Sequence, residues 1–130
     1  MTAVGPFHPK PSARSFCTVD ISTGATGVSD PISLTGLTLS SIQMSTAWTD
    51  AKIGFKASVD GSTNYYDVYG TDGILLTYST SANRVLTFDP ATWAGIERLQ
   101  LVSETSAGVA VAQAASVTLK LGLSAYVEAD

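Results

Sequence analysis

The residue types able to carry chemistry are few and scattered in this chain. His8 is the only histidine, and it stands between Phe7 and Pro9 in a stretch that also holds Pro6 and Pro11. A Ser-His-Asp arrangement or a zinc site would have to recruit it from there. Cys17 is the only cysteine, so no intrachain disulfide and no thiolate cage can form. Within Phe16-Cys17-Thr18-Val19 it reads as an inert thiol in apolar surroundings, with no cationic neighbour to activate it. Asp60, Asp67 and Asp72 come nearest to a carboxylate cluster. Each stands at or beside a turn with glycine, where Asp is expected for backbone reasons. Their spacing does not fit an EF-hand, and a weak calcium site between loops is the metal chemistry they would allow. A glycosidase needs two carboxyls about 5 to 9 Å apart on facing elements, and nothing marks such a pair. The chain carries no phosphate-cradling glycine loop and no dinucleotide fingerprint. These residues predict a protein that is not an enzyme and needs no cofactor or metal.

The aromatic residues offer a second kind of chemistry. Tyr65, Tyr66, Tyr69 and Tyr78 surround one expected hairpin, and Trp48 and Trp93 flank it in sequence. Aromatic platforms stack on sugars, so Trp48, Tyr65 and Tyr69 form a candidate contact face. Strand alternation sends Tyr65 and Tyr69 to one side and Tyr66 to the other. Some of them must therefore pack in a core or against a subunit, and both uses stay open.

The elements that must position these residues are strands. The 130 residues are 45% hydrophobic and 14% charged, which excludes a disordered chain. Ser and Thr number 16 each, so exposed faces are covered by hydroxyls, which suits strands better than helices. Phe16 to Ile21 is the first expected strand. Ile32, Leu34, Leu37 and Leu39 alternate with polar residues around Gly36. Ile53, Phe55, Ala57 and Val59 share one face of a strand that ends in the turn Asp60-Gly61-Ser62-Thr63-Asn64. Tyr65 to Tyr69, Ile74 to Tyr78, Arg84 to Phe88, Glu97 to Val102 and Val117 to Leu123 follow. Asp89-Pro90 predicts one helical turn, with Asp89 as its cap. Residues 108–115 read as an extended loop with a short strand. Eight to ten short strands without a long amphipathic helix predict an all-β fold: a two-sheet antiparallel β-sandwich of the jelly-roll type.

Residues 1–15 stand apart as an expected N-terminal arm preceding a sandwich domain over 16–130. Pro6, Pro9 and Pro11 favour extended backbone, and Lys10 and Arg14 occur there without an acidic residue. A frayed terminus and an arm that orders on a neighbouring subunit, with Phe7 as a plug, are both compatible with this composition. The net charge is −4 with seven basic residues thinly spread, which argues against nucleic acid or an anionic membrane as partner. The N-terminal stretch lacks the apolar segment of a secretory signal, and no run of 18 apolar residues is present, so cytoplasmic synthesis is expected.

Function enters through a resemblance. Thr46-Ala47-Trp48-Thr49-Asp50-Ala51, followed by Ile53-Gly54-Phe55-Lys56-Ala57-Ser58-Val59-Asp60-Gly61, resembles a family of small virion proteins of tailed bacteriophages and gene transfer agents. The tyrosine-rich stretch from Asn64 to Tyr69, the Asp72-Gly73 turn, and Arg98-Leu99-Gln100-Leu101-Val102-Ser103-Glu104-Thr105 fit the same pattern. Glu104 stands where the family usually has Gly. Val111-Ala112-Gln113-Ala114-Ala115 is similar to the family's Val-x-Gln-Ala stretch. The match covers about residues 16–123 and leaves the arm out. It implies a jelly-roll capsid decoration or cement protein, or a head spike or fibre base. Its expected place is the outer capsid surface of a virion, after synthesis in the host bacterial cytoplasm. Its expected partners are the major capsid protein and other copies of itself, as a dimer or trimer. Pro6, Phe7, Pro9, Lys10, Pro11 and Arg14 are the candidate subunit and capsid contacts. The alternative is a glycan-binding module of a head spike, fibre or tail that recognises host surface polysaccharide.

Overall fold

A computed structural model describes residues 14–24, 26–34 and 36–125. Nine strands follow in chain order: β1 Arg14–Ile21, β2 Ile32–Ser33, β3 Thr38–Gln43, β4 Lys52–Ser58, β5 Tyr66–Asp67, β6 Thr77–Tyr78, β7 Val85–Thr87, β8 Arg98–Glu104 and β9 Val117–Ser124. They form two sheets, one ordered β1-β9-β3-β7 and the other β2-β8-β4-β5, with β6 also pairing with β4. Every pairing between these strands is antiparallel. The protein is an all-β, two-sheet antiparallel β-sandwich, as the spacing of its strands predicts.

The period-two patterns dictate which faces meet. In β9, Val117, Leu119, Leu121 and Leu123 are buried, while Thr118 and Lys120 are exposed. Ile53 and Phe55 of β4 and Leu99 and Leu101 of β8 point the same way from the opposite sheet, into one shared core with Val19, Ile21, Leu39 and Ile42. Phe55 stands at the centre of an aromatic group: Trp93 lies 4.5 Å from it between ring centroids, and Tyr78 and Phe88 approach it edge-on. The expected cap is present. The Asp89 carboxylate accepts the Ala91 N–H at 3.1 Å, Pro90 opens a 3-10 turn over Pro90–Trp93, and that turn drives Trp93 fully into the core.

Three expectations change. Val59 does not continue the buried face of β4 but is 72% exposed, because the strand ends at Ser58. There the Asp60 carboxylate accepts hydrogen bonds from Ser58 Oγ and the Ser62 N–H, both at 3.0 Å, and turns the chain away. Gly61 takes φ +77° in that turn, a conformation a side chain resists. The tyrosine-rich strand is only Tyr66–Asp67, since the hairpin it begins twists so that β5 and β6 pair with different parts of β4. Residues 108–115 contribute isolated bridges, Glu104 with Ala110 and Gly24 with Gln113, rather than a strand.

Candidate functional site

The expected arm lies outside the described residues except at its end. Pro6, Phe7, Pro9, Lys10 and Pro11 are not among them. The backbone of Arg14 belongs to β1, opposite Ser124, so the sandwich begins two residues earlier than the composition predicts. The three residues of the expected aromatic face are not brought together. Trp48 is a core residue whose Nε1–H donates to the Ala51 carbonyl at 3.2 Å. Tyr65 is half-buried, and its hydroxyl finds no hydrogen-bond partner among the described residues. Tyr69 is exposed at the β5–β6 hairpin, opposite Leu75. Alternation fails as a guide there because the segment leaves the strand on both sides of Tyr66–Asp67.

The motif residues that carry the family resemblance meet in a buried polar staple. The Thr49 N–H donates to Gln113 Oε1 at 2.8 Å, and Gln113 Nε2 donates to the Thr49 carbonyl at 3.2 Å and to Ser103 Oγ at 2.8 Å. Ser103 Oγ donates in turn to the Val111 carbonyl at 2.7 Å, and Thr49 Oγ1 accepts from the Ala114 N–H at 2.9 Å. Three segments distant in sequence are thereby tied together with every donor and acceptor of the Gln113 amide engaged at least once. These contacts hold the fold.

Among the acidic residues, Asp60, Asp67 and Asp72 have separate duties. Asp60 closes the turn after β4, and those hydrogen bonds, led by the Ser62 N–H, hold its carboxyl below the usual range. Asp67 pairs with Lys56 at 2.9 Å, and Asp72 accepts the Ile74 N–H at 3.0 Å in the hairpin turn. No group of three or more His, Cys, Asp or Glu gathers as a metal site among the described residues. Burial pushes the half-buried Cys17 thiol up, away from the reactive thiolate.

Glu104 is the unusual acid. It is 3% exposed, its Oε2 has no hydrogen-bond partner among the described residues, and it lies over Gly54 of the neighbouring strand, where a side chain would collide with its carboxylate. Lys52 stands opposite it in register, yet Lys52 Nζ donates to Ser79 Oγ at 2.7 Å, and Lys56 is committed to Asp67. Burial raises the Glu104 carboxyl above its ordinary value, and Asp67 adds to the rise while Lys56 opposes it. Glu104 also lines a cleft of about 380 Å³ with Asp50, Lys52, Ser79, Thr80 and Thr105.

Two surfaces and a second cleft lie on the outside of the described residues. Phe16 and Val85, 69% and 58% exposed, flank a groove of about 190 Å³ on the outer face of the β1-β9-β3-β7 sheet, floored by Gly122 and lined by Ser41, Gln43 and Lys120. Tyr69, Ile74 and Val109 are exposed around the β5–β6 hairpin, where Leu75 packs against Gly108. A cleft of about 380 Å³ beside β5 is lined by Asp60, Ser62, Asn64, Tyr66 and Asp67. Neither Phe16 with Val85 nor Tyr66 with Asn64 stands out in sequence as a pair. Only the strand register and the Asp60 turn bring them together.

Comparison with protein-family models, with curated proteins and with solved structures finds no match to this chain.

Proposed function

We propose that this is a structural virion protein of a tailed bacteriophage, a capsid decoration protein that binds the outside of the major-capsid shell and stabilises it. The observation that carries this proposal is the placing of exposed apolar side chains on two different surfaces of a small sandwich. One is the Phe16 and Val85 groove on the outer sheet face, and the other is the β5–β6 hairpin, where Tyr69 and Ile74 are exposed. Clustered exposed apolar residues mark contact surfaces. A bridging protein needs at least two of them. The strand orders support the jelly-roll expectation: β1 to β4 alternate between the sheets, and so do β6 to β9. The motif resemblance supplies the virion context.

In this role the Phe16 and Val85 face makes the contact between copies, and residues 2–13 reach the capsid subunits. Modest contacts repeated around a closed shell add through multivalency. Phe16→Asp combined with Val85→Asp tests this, because both residues are exposed and their replacement leaves the core untouched. The double variant should keep the wild-type melting curve and lose cooperative attachment to undecorated tailed-phage capsids in cosedimentation. Attachment equal to wild type would remove that face from the contact.

A further inference from the structure

We propose that the cleft beside β5 is a binding site for a neutral saccharide, with Tyr66 as its stacking platform and Asp60 and Asn64 as its hydroxyl partners. The site lies at other residues than the aromatic face expected from the sequence, and it does not depend on contact with a capsid.

A pyranose ring presents an apolar C–H face and a rim of hydroxyl donors. The cleft offers the complement of both. Its volume of about 380 Å³ lies within the range of small-molecule sites, which combine apolar walls with a few placed polar groups. Ala57, Val68 and Ile96 are half-buried in its lining, and Val59 and Tyr66, each 72% exposed, add apolar surface. Among the described residues Tyr66 is the only aromatic one lining it, and it is largely exposed, leaving its ring free to stack on a sugar.

The acceptor at Asp60 is held in place before any ligand arrives. Asp60 is oriented by Ser58 Oγ and the Ser62 N–H, and its low carboxyl pKa keeps it an acceptor. The Asn64 side-chain amide brings both a donor and an acceptor, while its own backbone N–H is taken by Ser62 Oγ at 3.3 Å. Fixed acceptors lower the ordering cost of binding, which matters for a ligand with many weak contacts.

Charge decides the class of sugar. Among the described residues the cleft is lined by Asp60 and Asp67 and by no lysine or arginine, and Asp67 is paired with Lys56. A sugar acid would meet repulsion there, and a chain of net charge −4 adds to it. A neutral hexose meets none.

The test is a two-dimensional NMR titration of the full chain with the methyl glycosides of glucose, galactose and mannose, and with methyl glucuronoside as the charged counterpart. At least one neutral glycoside should give saturable shifts confined to residues 58–68 and Ile96, and the glucuronoside should give none. Tyr66→Ala should weaken that binding by about tenfold, or about 1.4 kcal/mol. Tyr66→Phe should retain most of it, and Asn64→Ala should weaken it. The exposure of Tyr66 lets these variants fold normally. The absence of saturable shifts in this segment with all three neutral glycosides overturns the proposal. So does undiminished binding in Tyr66→Ala, or equal binding of the glucuronoside. None of these outcomes bears on attachment to a shell, which is read separately with capsids.

Discussion

Gln113 illustrates how much of this fold rests on single polar side chains. Its amide joins the segment after Trp48 to β8 and to the loop before β9. Gln113→Ala leaves the Thr49 N–H and Ser103 Oγ without their buried partner, which should cost about 2–4 kcal/mol in a urea unfolding curve. Glu104 makes a prediction with a sign. Its carboxyl is raised in the folded protein, so folding favours the protonated form. The stability it contributes is complete below the ordinary carboxylate range and is lost as pH rises through the raised folded value. Glu104→Gln removes this titration. The variant should match wild type near pH 4 and exceed it at pH 7 by about 1 kcal/mol, measured as a shift in urea midpoint. Asp60 runs the other way, contributing stability that is lost as pH falls through its lowered value, and since both proteins carry it, it cancels from their difference. The importance of Gln113 is partly legible in the sequence, since it falls in a motif. The burial of Glu104 is not, because it depends on which residue of β4 lies beneath it.

At the scale of elements, β4 and β8 are coupled through that pair. Gly54 leaves the space that the Glu104 carboxylate fills across the strand boundary. Gly54→Ala should therefore cost about 2 kcal/mol in the wild-type background, as overpacking does. In a Glu104→Gly background the same substitution should cost much less, and a double-mutant cycle measures the difference. Equal costs in both backgrounds would mean that the carboxylate does not occupy the notch. The strands themselves are easy to read from the chain. Strict alternation in β9 and the Asp89-Pro90 signal give both their place and their inward faces. The tyrosine hairpin is not, because its two short strands share β4 as partner and no period survives over two residues. That same irregularity is what leaves Tyr66 beside a cleft while Trp48 and Tyr78 pack inside.

For the whole molecule, an outside with separate apolar surfaces on a sandwich fixed by its own staple suits a part that is added to a larger assembly. The start of β1 fixes where the N-terminal segment can be cut. Because β1 begins at Arg14, a deletion must stop at residue 13 to leave the β1–β9 pairing intact. Removing residues 2–13 should keep the melting temperature within the range expected for a surface change and abolish attachment to capsids. Unchanged attachment would assign the arm no part in it. Cosedimentation of the purified full chain with undecorated tailed-phage capsids, followed by heating of the decorated particles, reads the attachment itself. Saturable binding with raised heat resistance of the shells is the predicted result. Sedimentation of the capsids without the protein, at concentrations where it remains folded, would contradict the decoration role.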